Sequence, residues 1–210
     1  MPAGRKRPWY VMALVLGINS YFEHPSVALI RDDEVRSLQD RDYRVYRADG
    51  ETQRTITDDE LQALLHDPTV RQNLSARHSP CPADIFIIAV PTPVQPRKKV
   101  ADLSYVISAI EALLPHLRAG NLIIIESTIP PLTCRHVVTP LLERTGLRVG
   151  ADIHLAHCPE RILPGDVFYE IVHNDRVIGC AEPVGREMAR ALYASFVKGD
   201  LYVTDGVTAE

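Results

Sequence analysis

DIFIIAV, at residues 84–90, is an almost unbroken run of apolar side chains that ends at Pro91. Short apolar runs of this kind are typical of strands buried on both faces, as in parallel sheets. Proline stops such a strand because it has no backbone N–H to donate to a neighbouring strand. The segment therefore predicts a central strand of a buried sheet.

Amphipathic helices and apolar strands alternate after this segment. Residues 102–118 predict a helix, because apolar residues recur at helical spacing, Asp102 can cap the start and Gly120 lies just beyond the end. A second helix is predicted to begin at Pro130 or Pro131. The other predicted elements are strands at 122–125, 153–156, 176–179 and 201–203 and a helix at 184–197. This alternation predicts an α/β fold, a parallel Rossmann-like sheet with helices on both faces.

The N-terminal part of the chain does not continue this alternation. Residues 11–18 and 27–30 predict a pair of strands. Residues 36–59 are polar and have little periodic apolar content, which predicts a poorly packed connector. A short helix is predicted at residues 60–65.

Arg5, Lys6 and Arg7 precede an apolar run at residues 8–18, which superficially has the form of a secretory signal. The run contains a proline, is too short to span a bilayer and is not followed by a small-x-small cleavage site. A first buried strand is the interpretation that we favour, and a secretory signal is the alternative.

The composition excludes several classes of function. The 23 Lys and Arg residues against 27 Asp and Glu residues give a net charge of −4, which provides no basic field for nucleic acid or for an anionic membrane surface. The four cysteines include no CxxC pair, so reduced thiols are favoured over a zinc ribbon or a redox dithiol, with a disulfide framework as the alternative. We expect a cytoplasmic protein with no metal site, no nucleic-acid partner and no membrane partner.

Three loops at predicted strand ends are candidate site elements, since ligands of parallel sheets bind beyond the carboxyl ends of the strands. VPTP at 90–93 offers the hydroxyl of Thr92 to a nucleotide. ESTIP at 126–130 places Thr128 at a helix start, which favours an anionic or polar ligand. The third loop is HCPERILPG at 157–165.

In that third loop, Glu160 can order a water molecule or accept a proton, and Arg161 can neutralise charge on a substrate. Each loop also has an ordinary structural interpretation. The prolines end a strand, Ser127 or Thr128 caps a helix, and Glu160 and Arg161 form exposed ion pairs. Cys158 is disfavoured as a nucleophile because no activating base other than His157 is close to it in sequence.

Six ordered segments between residues 83 and 210 resemble the nucleotide-sugar 6-dehydrogenases of the UDP-glucose/GDP-mannose dehydrogenase family. They are ADIFIIAVPTP, DLSYV, IIIESTIPP, AHCPERILPG, NDRVIG and VTDGVTAE. CPERILPG and NDRVIG resemble the UDP-N-acetyl-D-mannosamine dehydrogenase branch, whereas the UDP-glucose branch typically carries an NPEFLREG-like loop. Six segments in the same order are far more specific than any one of them.

The resemblance implies an NAD-dependent oxidation of a UDP-sugar, UDP-N-acetyl-D-mannosamine, to its uronate through an aldehyde and a cysteine thioester. It implies that Thr92 and Thr128 contact NAD and that Glu160 assists hydrolysis of the thioester. It also implies that Arg161 and Ile162 contact the substrate. No metal site is implied.

The chain also departs from the family pattern. It has no GxGxxG turn for the pyrophosphate and no acidic residue about 20 residues later for the ribose. It stops at Glu210, before the helix with the family's catalytic Lys and the segment with its nucleophilic Cys. We therefore expect an atypical N-terminal segment, residues 1–59, and a partial NAD-binding domain, residues 60–210, whose first half is incomplete. We do not expect this chain alone to turn over the sugar nucleotide.

Residues 14–35, LVLGINSYFEHPSVALIRDDEV, resemble instead the opening of NodU-type carbamoyltransferases. A fusion with such a protein is one alternative. Another is a non-catalytic remnant or interaction protein of a polysaccharide-biosynthesis cluster. The partners expected from the dehydrogenase interpretation are the UDP-sugar and either a second copy of the chain or a complementing dehydrogenase chain.

Overall fold

The computed structural model of the chain describes residues 80–95, 99–162 and 167–210, together with Pro68 and the strands at 12–16, 44–46 and 52–55. The strands are β1 Met12–Leu16, β2 Arg44–Tyr46, β3 Thr52–Thr55, β4 Ile85–Ala89, β5 Val94–Gln95, β6 Val100–Ala101, β7 Leu122–Ile125, β8 His154–His157, β9 Arg176–Gly179 and β10 Leu201–Thr204. The helices are α1 Ser104–Leu113, α2 Thr139–Leu142, α3 Val167–His173, α4 Pro183–Tyr193 and α5 Gly206–Ala209.

Six of the strands form one sheet in the order β1-β4-β7-β8-β9-β10. The first four run parallel, which the alternation of strands and helices predicts for β4, β7 and β8. β9 pairs with β8 in the antiparallel direction at a single pair of residues, His157 and Gly179. β10 pairs with β9 in parallel, and the helix α4 connects these two strands along the chain. The sheet is therefore mostly parallel rather than wholly parallel, with its last two strands reversed.

The core lies on both faces of this sheet because successive side chains of a strand point to opposite faces. In β4, Phe86 and Ile88 pack against α1 and the helical segment that contains α2, while Ile85 and Ile87 belong to the cluster on the side of α4. Tyr193 of α4 is buried in that second cluster. Helices therefore cover both faces, and the predicted α/β architecture is confirmed.

The N-terminal part of the chain contributes one strand to the main sheet. β1 pairs in parallel with β4, from Met12 opposite Ile85 to Leu16 opposite Ala89. The strand predicted at residues 27–30 lies outside the described residues, so its pairing with β1 stays a prediction. The predicted connector contains an antiparallel ribbon formed by β2 and β3. The helix predicted at 60–65 also lies outside the described residues, and the domain boundary at residue 59 stays a prediction.

The predicted second helix begins as a π-helical turn, Cys134–Val138, before the short α2. The N–H of Thr139 bonds to the carbonyl of Cys134, five residues back. Pro140 follows directly, and proline has no N–H for a regular turn and clashes with the carbonyl four residues before it. A widened turn at this point accommodates the proline.

Candidate functional site

The three predicted site loops leave the sheet at one edge. β4, β7 and β8 are neighbouring parallel strands, so their carboxyl ends meet there. The loop with Thr92 follows β4, the loop with Thr128 follows β7, and the loop with Glu160 follows β8. The structure thus places all three residues on the edge where the topology favours a ligand.

Ser127 joins the first two loops. Its buried Oγ accepts the N–H of Val90 at 2.8 Å and lies 2.8 Å from the carbonyl oxygen of Val90, to which it can donate. The N–H of Ser127 also donates to the carbonyl of Ile88 at 3.3 Å. Because these bonds span 37 or more positions of the chain, they fix the two strand ends relative to each other.

Thr92 and Thr128 are in direct contact. The Oγ1 of Thr92 donates to the backbone carbonyl of Thr128 at 2.6 Å. The lone pairs of the Thr92 hydroxyl remain able to accept a hydrogen bond, and the side chain of Thr128 is exposed. The two threonines together present hydroxyl groups at the strand ends, which suits a polar part of a nucleotide.

Glu160, Arg161 and Ile162 form one compact turn. The N–H of Glu160 donates to the carbonyl of Glu126 at 3.2 Å, and the Glu160 carboxylate accepts the N–H of Ile162. Glu160 and Arg161 are exposed, and Ile162 is half-buried. Asn174, which follows α3, lies with its Nδ2 3.4 Å from the carbonyl oxygen of Arg161. The side chains of this turn are therefore presented at the surface while its backbone is held from two sides.

A buried polar cluster lies beneath that turn. The hydroxyl of Tyr193 donates to Oε1 of Glu126 at 2.6 Å, and the guanidinium of Arg176 lies 5.7 Å from the centre of the Tyr193 ring. Burial raises the pKa of Glu126, against the opposing effects of the Tyr193 hydrogen bond and the charge of Arg176. Cys158 is fully buried beside them.

Cys158 is unsuited to be a nucleophile in this environment. Burial raises the pKa of its thiol far above the usual range, so the thiol stays protonated. The adjacent His157 bonds through Nδ1 to the carbonyl of Ile125 at 2.9 Å, and burial lowers its pKa. Adjacent residues at a strand end point to opposite faces, so His157 does not activate Cys158.

Glu210 is a further contact of the site that the sequence did not predict. Its Oε1 accepts the N–H of Cys134, the first residue of the π-helical turn, at 2.7 Å. Sequence reasoning also missed Glu126, Tyr193 and Arg176. Arg176 lies in the NDRVIG segment and Glu126 directly precedes Ser127, but neither position indicates by itself that the two side chains share a buried cluster.

The described ranges contain no group of three or more His, Cys, Asp or Glu side chains that could hold a metal ion. In the same ranges, no helix combines the length and the apolar character needed to cross a bilayer.

Comparison with known proteins identifies the domain. Residues 40–197 match the NAD-binding domain of the UDP-glucose/GDP-mannose dehydrogenase family. The UDP-N-acetyl-D-mannosamine dehydrogenase of Methanococcus maripaludis is 49% identical over 142 residues, which are 66% of this chain and 31% of that protein. The NDP-N-acetyl-D-galactosaminuronic acid dehydrogenase of Ralstonia solanacearum is 40% identical over 162 residues, which are 74% of this chain and 38% of that protein.

A solved structure agrees with these relatives. The native UDP-N-acetyl-mannosamine dehydrogenase of Staphylococcus aureus superposes with a TM-score of 0.70 at 37% identity, and the match covers 86% of this chain and 42% of that one. The chain thus spans about a third of the length of the curated relatives it matches. The matched range includes the loops with Thr92, Thr128 and Glu160, and the chain therefore belongs to the UDP-glucose/GDP-mannose dehydrogenase family and carries its NAD-binding domain.

Proposed function

We propose that this chain is the NAD-binding part of an enzyme that oxidises UDP-N-acetyl-D-mannosamine to its uronate. The observation that carries the proposal is the meeting of three strand ends, where Thr92 and Thr128 are joined at 2.6 Å and Glu160 follows the adjacent strand. The mannosamine substrate is supported by the names of several relatives. A cytoplasmic location is part of the same proposal.

The chain's residues have distinct roles in this proposal. The hydroxyls of Thr92 and Thr128 bind and orient the dinucleotide, which supplies the hydride acceptor when it is bound. Glu160 holds a water molecule or takes a proton in the hydrolytic half of the reaction. Arg161 and Ile162 contact the sugar nucleotide, and the positive charge of Arg161 suits a diphosphate.

Calorimetric titration of the chain with NAD tests the binding role. We expect heat of binding, and we expect Thr92→Val to weaken the affinity by about 3- to 10-fold through loss of one hydroxyl hydrogen bond. Ser195→Ala is the matched control, since it removes an exposed hydroxyl at the end of α4 that bonds only locally to the carbonyl of Leu192. An absence of heat with the unsubstituted chain would identify a non-catalytic remnant instead.

Catalytic competence is a separate part of the proposal. Cys134, Cys158 and Cys180 are buried with raised thiol pKa values, so none of these three is an activated nucleophile. We propose that this chain alone does not oxidise UDP-N-acetyl-D-mannosamine. Incubation with the sugar nucleotide and NAD, followed at the absorbance band of NADH, tests this, and sustained NADH production would contradict it.

Two finer proposals concern partners and origin. We propose that the chain works with a second copy or with a complementing dehydrogenase chain. Sedimentation of the purified chain with and without such a partner tests this.

We also propose that residues 14–35 derive from the opening of a NodU-type carbamoyltransferase. The support for that origin is the sequence LVLGINSYFEHPSVALIRDDEV alone.

A further inference from the structure

Glu126 is bonded to three different parts of the fold. Its N–H donates to the carbonyl of Ile88 at 2.9 Å, which ties it to β4. Its backbone carbonyl accepts the N–H of Glu160 at 3.2 Å, which ties it to the loop after β8. Its carboxylate accepts the hydroxyl of Tyr193 at 2.6 Å, which ties it to α4. No part of the proposed reaction uses this side chain.

The surroundings of the Glu126 carboxylate hold it in place. Tyr193 is 1% exposed and Arg176 is 4% exposed, so the hydroxyl and the guanidinium approach Glu126 from buried positions. The Nε and Nη1 of Arg176 have no hydrogen-bond partner in the described part of the chain. The negative charge of Glu126 is therefore the nearby compensation for a buried cation, and removing it leaves that cation uncompensated.

We propose that Glu126, clamped by Tyr193, is a positioning residue for Glu160. The inference rests on the proposed function only in taking Glu160 as the working carboxylate of the site. The bond from the Glu160 N–H to the Glu126 carbonyl fixes the backbone from which the Glu160 side chain projects. A catalytic carboxylate must be held to within a fraction of an ångström, and a residue anchored in the core supplies that constraint to an exposed loop.

Protonation of Glu126 should loosen the loop that carries Glu160. The charged and titratable groups that face Glu126 are Tyr193 from α4, Arg176 from β9, and Cys158 and Glu160 from the loop after β8. Burial raises the pKa of Glu126, so its carboxylate gains a proton at a higher pH than an exposed Glu. A protonated Glu126 accepts the Tyr193 hydroxyl more weakly and loses its attraction to Arg176, and the anchor loosens as the pH falls.

Nuclear magnetic resonance of the nitrogen-15-labelled chain tests the inference without any ligand or activity. In the unsubstituted chain, we expect the Glu160 amide to show a titration step from Glu126 at a higher pH than that at which an exposed Glu titrates, because burial raises the pKa of Glu126. The Ile162 amide, which bonds to the Glu160 carboxylate, serves as a second signal from the same turn. Glu126→Gln should abolish the step at the Glu160 amide.

Hydrogen exchange gives the second measurement. We expect Glu126→Gln and Tyr193→Phe each to speed exchange of the Glu160 amide by about tenfold, relative to the amides of the central strand β7. Glu187→Gln and Tyr202→Phe are the matched controls, since both residues are exposed, and they should change neither measurement. Tyr193→Phe carries the test if Glu126→Gln does not fold, because phenylalanine keeps the packing of the ring.

Two results would overturn the inference. One is a Glu160 amide that keeps both its titration and its exchange rate in the substituted chain. The other is exchange that speeds equally at Glu160 and throughout β7, which would show a loss of global stability and no specific anchoring. Failure of the chain to bind NAD or the sugar nucleotide would count against the proposed function, and the amide measurements would still decide the role of Glu126.

Discussion

Ser127 lies with its hydroxyl oxygen 2.8 Å from both the backbone nitrogen and the backbone oxygen of Val90, 37 positions earlier in the chain. One small side chain thus satisfies both polar backbone groups at the point where β4 ends. The same contact places the loops with Thr92 and Thr128 side by side. The geometry of the candidate cofactor site therefore depends on a serine that itself need not touch a ligand.

Ser127→Ala should destabilise the chain by about 1 to 3 kcal/mol, because it leaves the buried N–H of Val90 without an acceptor. Urea unfolding followed by circular dichroism measures the change. Ser195→Ala is the control and should change the free energy of unfolding by less than about 0.5 kcal/mol, since it removes an exposed hydroxyl. Equal stability of the two variants would show that water or a neighbouring group satisfies Val90.

The sequence was sufficient to predict most of the sheet. β4, β7, β8, β9 and β10 lie within one or two residues of the predicted strands, because each contains a short apolar stretch next to polar or turn residues. The sequence of a strand does not indicate its direction, because the same apolar stretch can form a parallel or an antiparallel pair. The reversal at β9 is for that reason a structural finding.

The site was predicted only as a shared edge. Thr92, Thr128 and Glu160 follow adjacent strands, which topology alone indicates. The sequence indicates Ser127 or Thr128 as a helix cap, a local role, whereas the bonds of Ser127 reach Val90 at the end of the neighbouring strand. Contacts between residues far apart in the chain, including that of Tyr193 with Glu126, depend on side-chain packing that hydrophobic periodicity does not encode.

The backbone conformation at Leu132 is one that favours glycine over an L-residue. It has a φ of +69°, a left-handed conformation that costs an L-residue about 1 to 2 kcal/mol and costs glycine little. We expect Leu132→Gly to be more stable than Leu132→Ala by about 1 kcal/mol, because alanine keeps the backbone strain. Thermal unfolding of the two variants measures the difference.

Gly146 provides the reverse test of the same effect. Its φ is +84°, and a Cβ added there would meet nothing within 4 Å, so Gly146→Ala should cost only the backbone strain of about 1 kcal/mol. If Leu132→Ala proved more stable than Leu132→Gly while Gly146→Ala lost stability, local packing at Leu132 would outweigh its backbone strain.

Cys81 should be the first cysteine to react with iodoacetamide. It is partly exposed, whereas Cys134, Cys158 and Cys180 are buried. Burial raises the pKa of Cys180 to about 12, and its thiol donates to Oε2 of Glu182 at 2.9 Å. Because the thiolate is the reactive form, we expect alkylation of the buried thiols to be at least about tenfold slower, as measured by peptide mass spectrometry.

A comparison under denaturing conditions controls that experiment. In urea all four cysteines should react at similar rates, and Cys81→Ser should remove the fast phase seen in the folded chain. Rapid labelling of Cys158 in the folded chain would contradict the buried environment described above.

Asp152 should contribute to stability in a defined range of pH. A hydrogen bond from the Arg148 side chain, with a second from the Arg148 backbone, lowers the pKa of Asp152 to about 2. A depressed carboxyl pKa stabilises the fold above the pKa of the unfolded chain, near 4, and that contribution is lost as the pH falls toward 2. Asp152→Asn should therefore flatten the fall of stability between about pH 4 and about pH 2.

Urea midpoints measured across that range test this expectation. The exposed Asp200→Asn is the control for a change of net charge. If the urea midpoint of Asp152→Asn fell with pH as steeply as that of the unsubstituted chain, the exposed ion pair with Arg148 would be screened by solvent, as many surface ion pairs are.

Substitutions of Gly179 and Gly206 test how closely α5 packs against β9. A Cβ on Gly179 would lie 2.3 Å from the Cβ of Ala209 and 3.0 Å from the carbonyl oxygen of Asp205, so α5 would have to move. We expect Gly179→Ala to cost about 1 to 3 kcal/mol of unfolding free energy. A Cβ on Gly206 would meet nothing within 4 Å, and Gly206→Ala should change stability by less than about 0.5 kcal/mol.

The same displacement should reach the candidate site. Glu210 directly follows α5, and its Oε1 holds the N–H of Cys134 at 2.7 Å, next to the loop that carries Thr128. If α5 shifts, that bond is lost, and exchange of the Cys134 amide should speed by about tenfold in Gly179→Ala and stay unchanged in Gly206→Ala. Equal exchange in the two variants would show that the Cys134 turn keeps its place without α5, and that the position of Thr128 depends on Ser127 and not on Glu210.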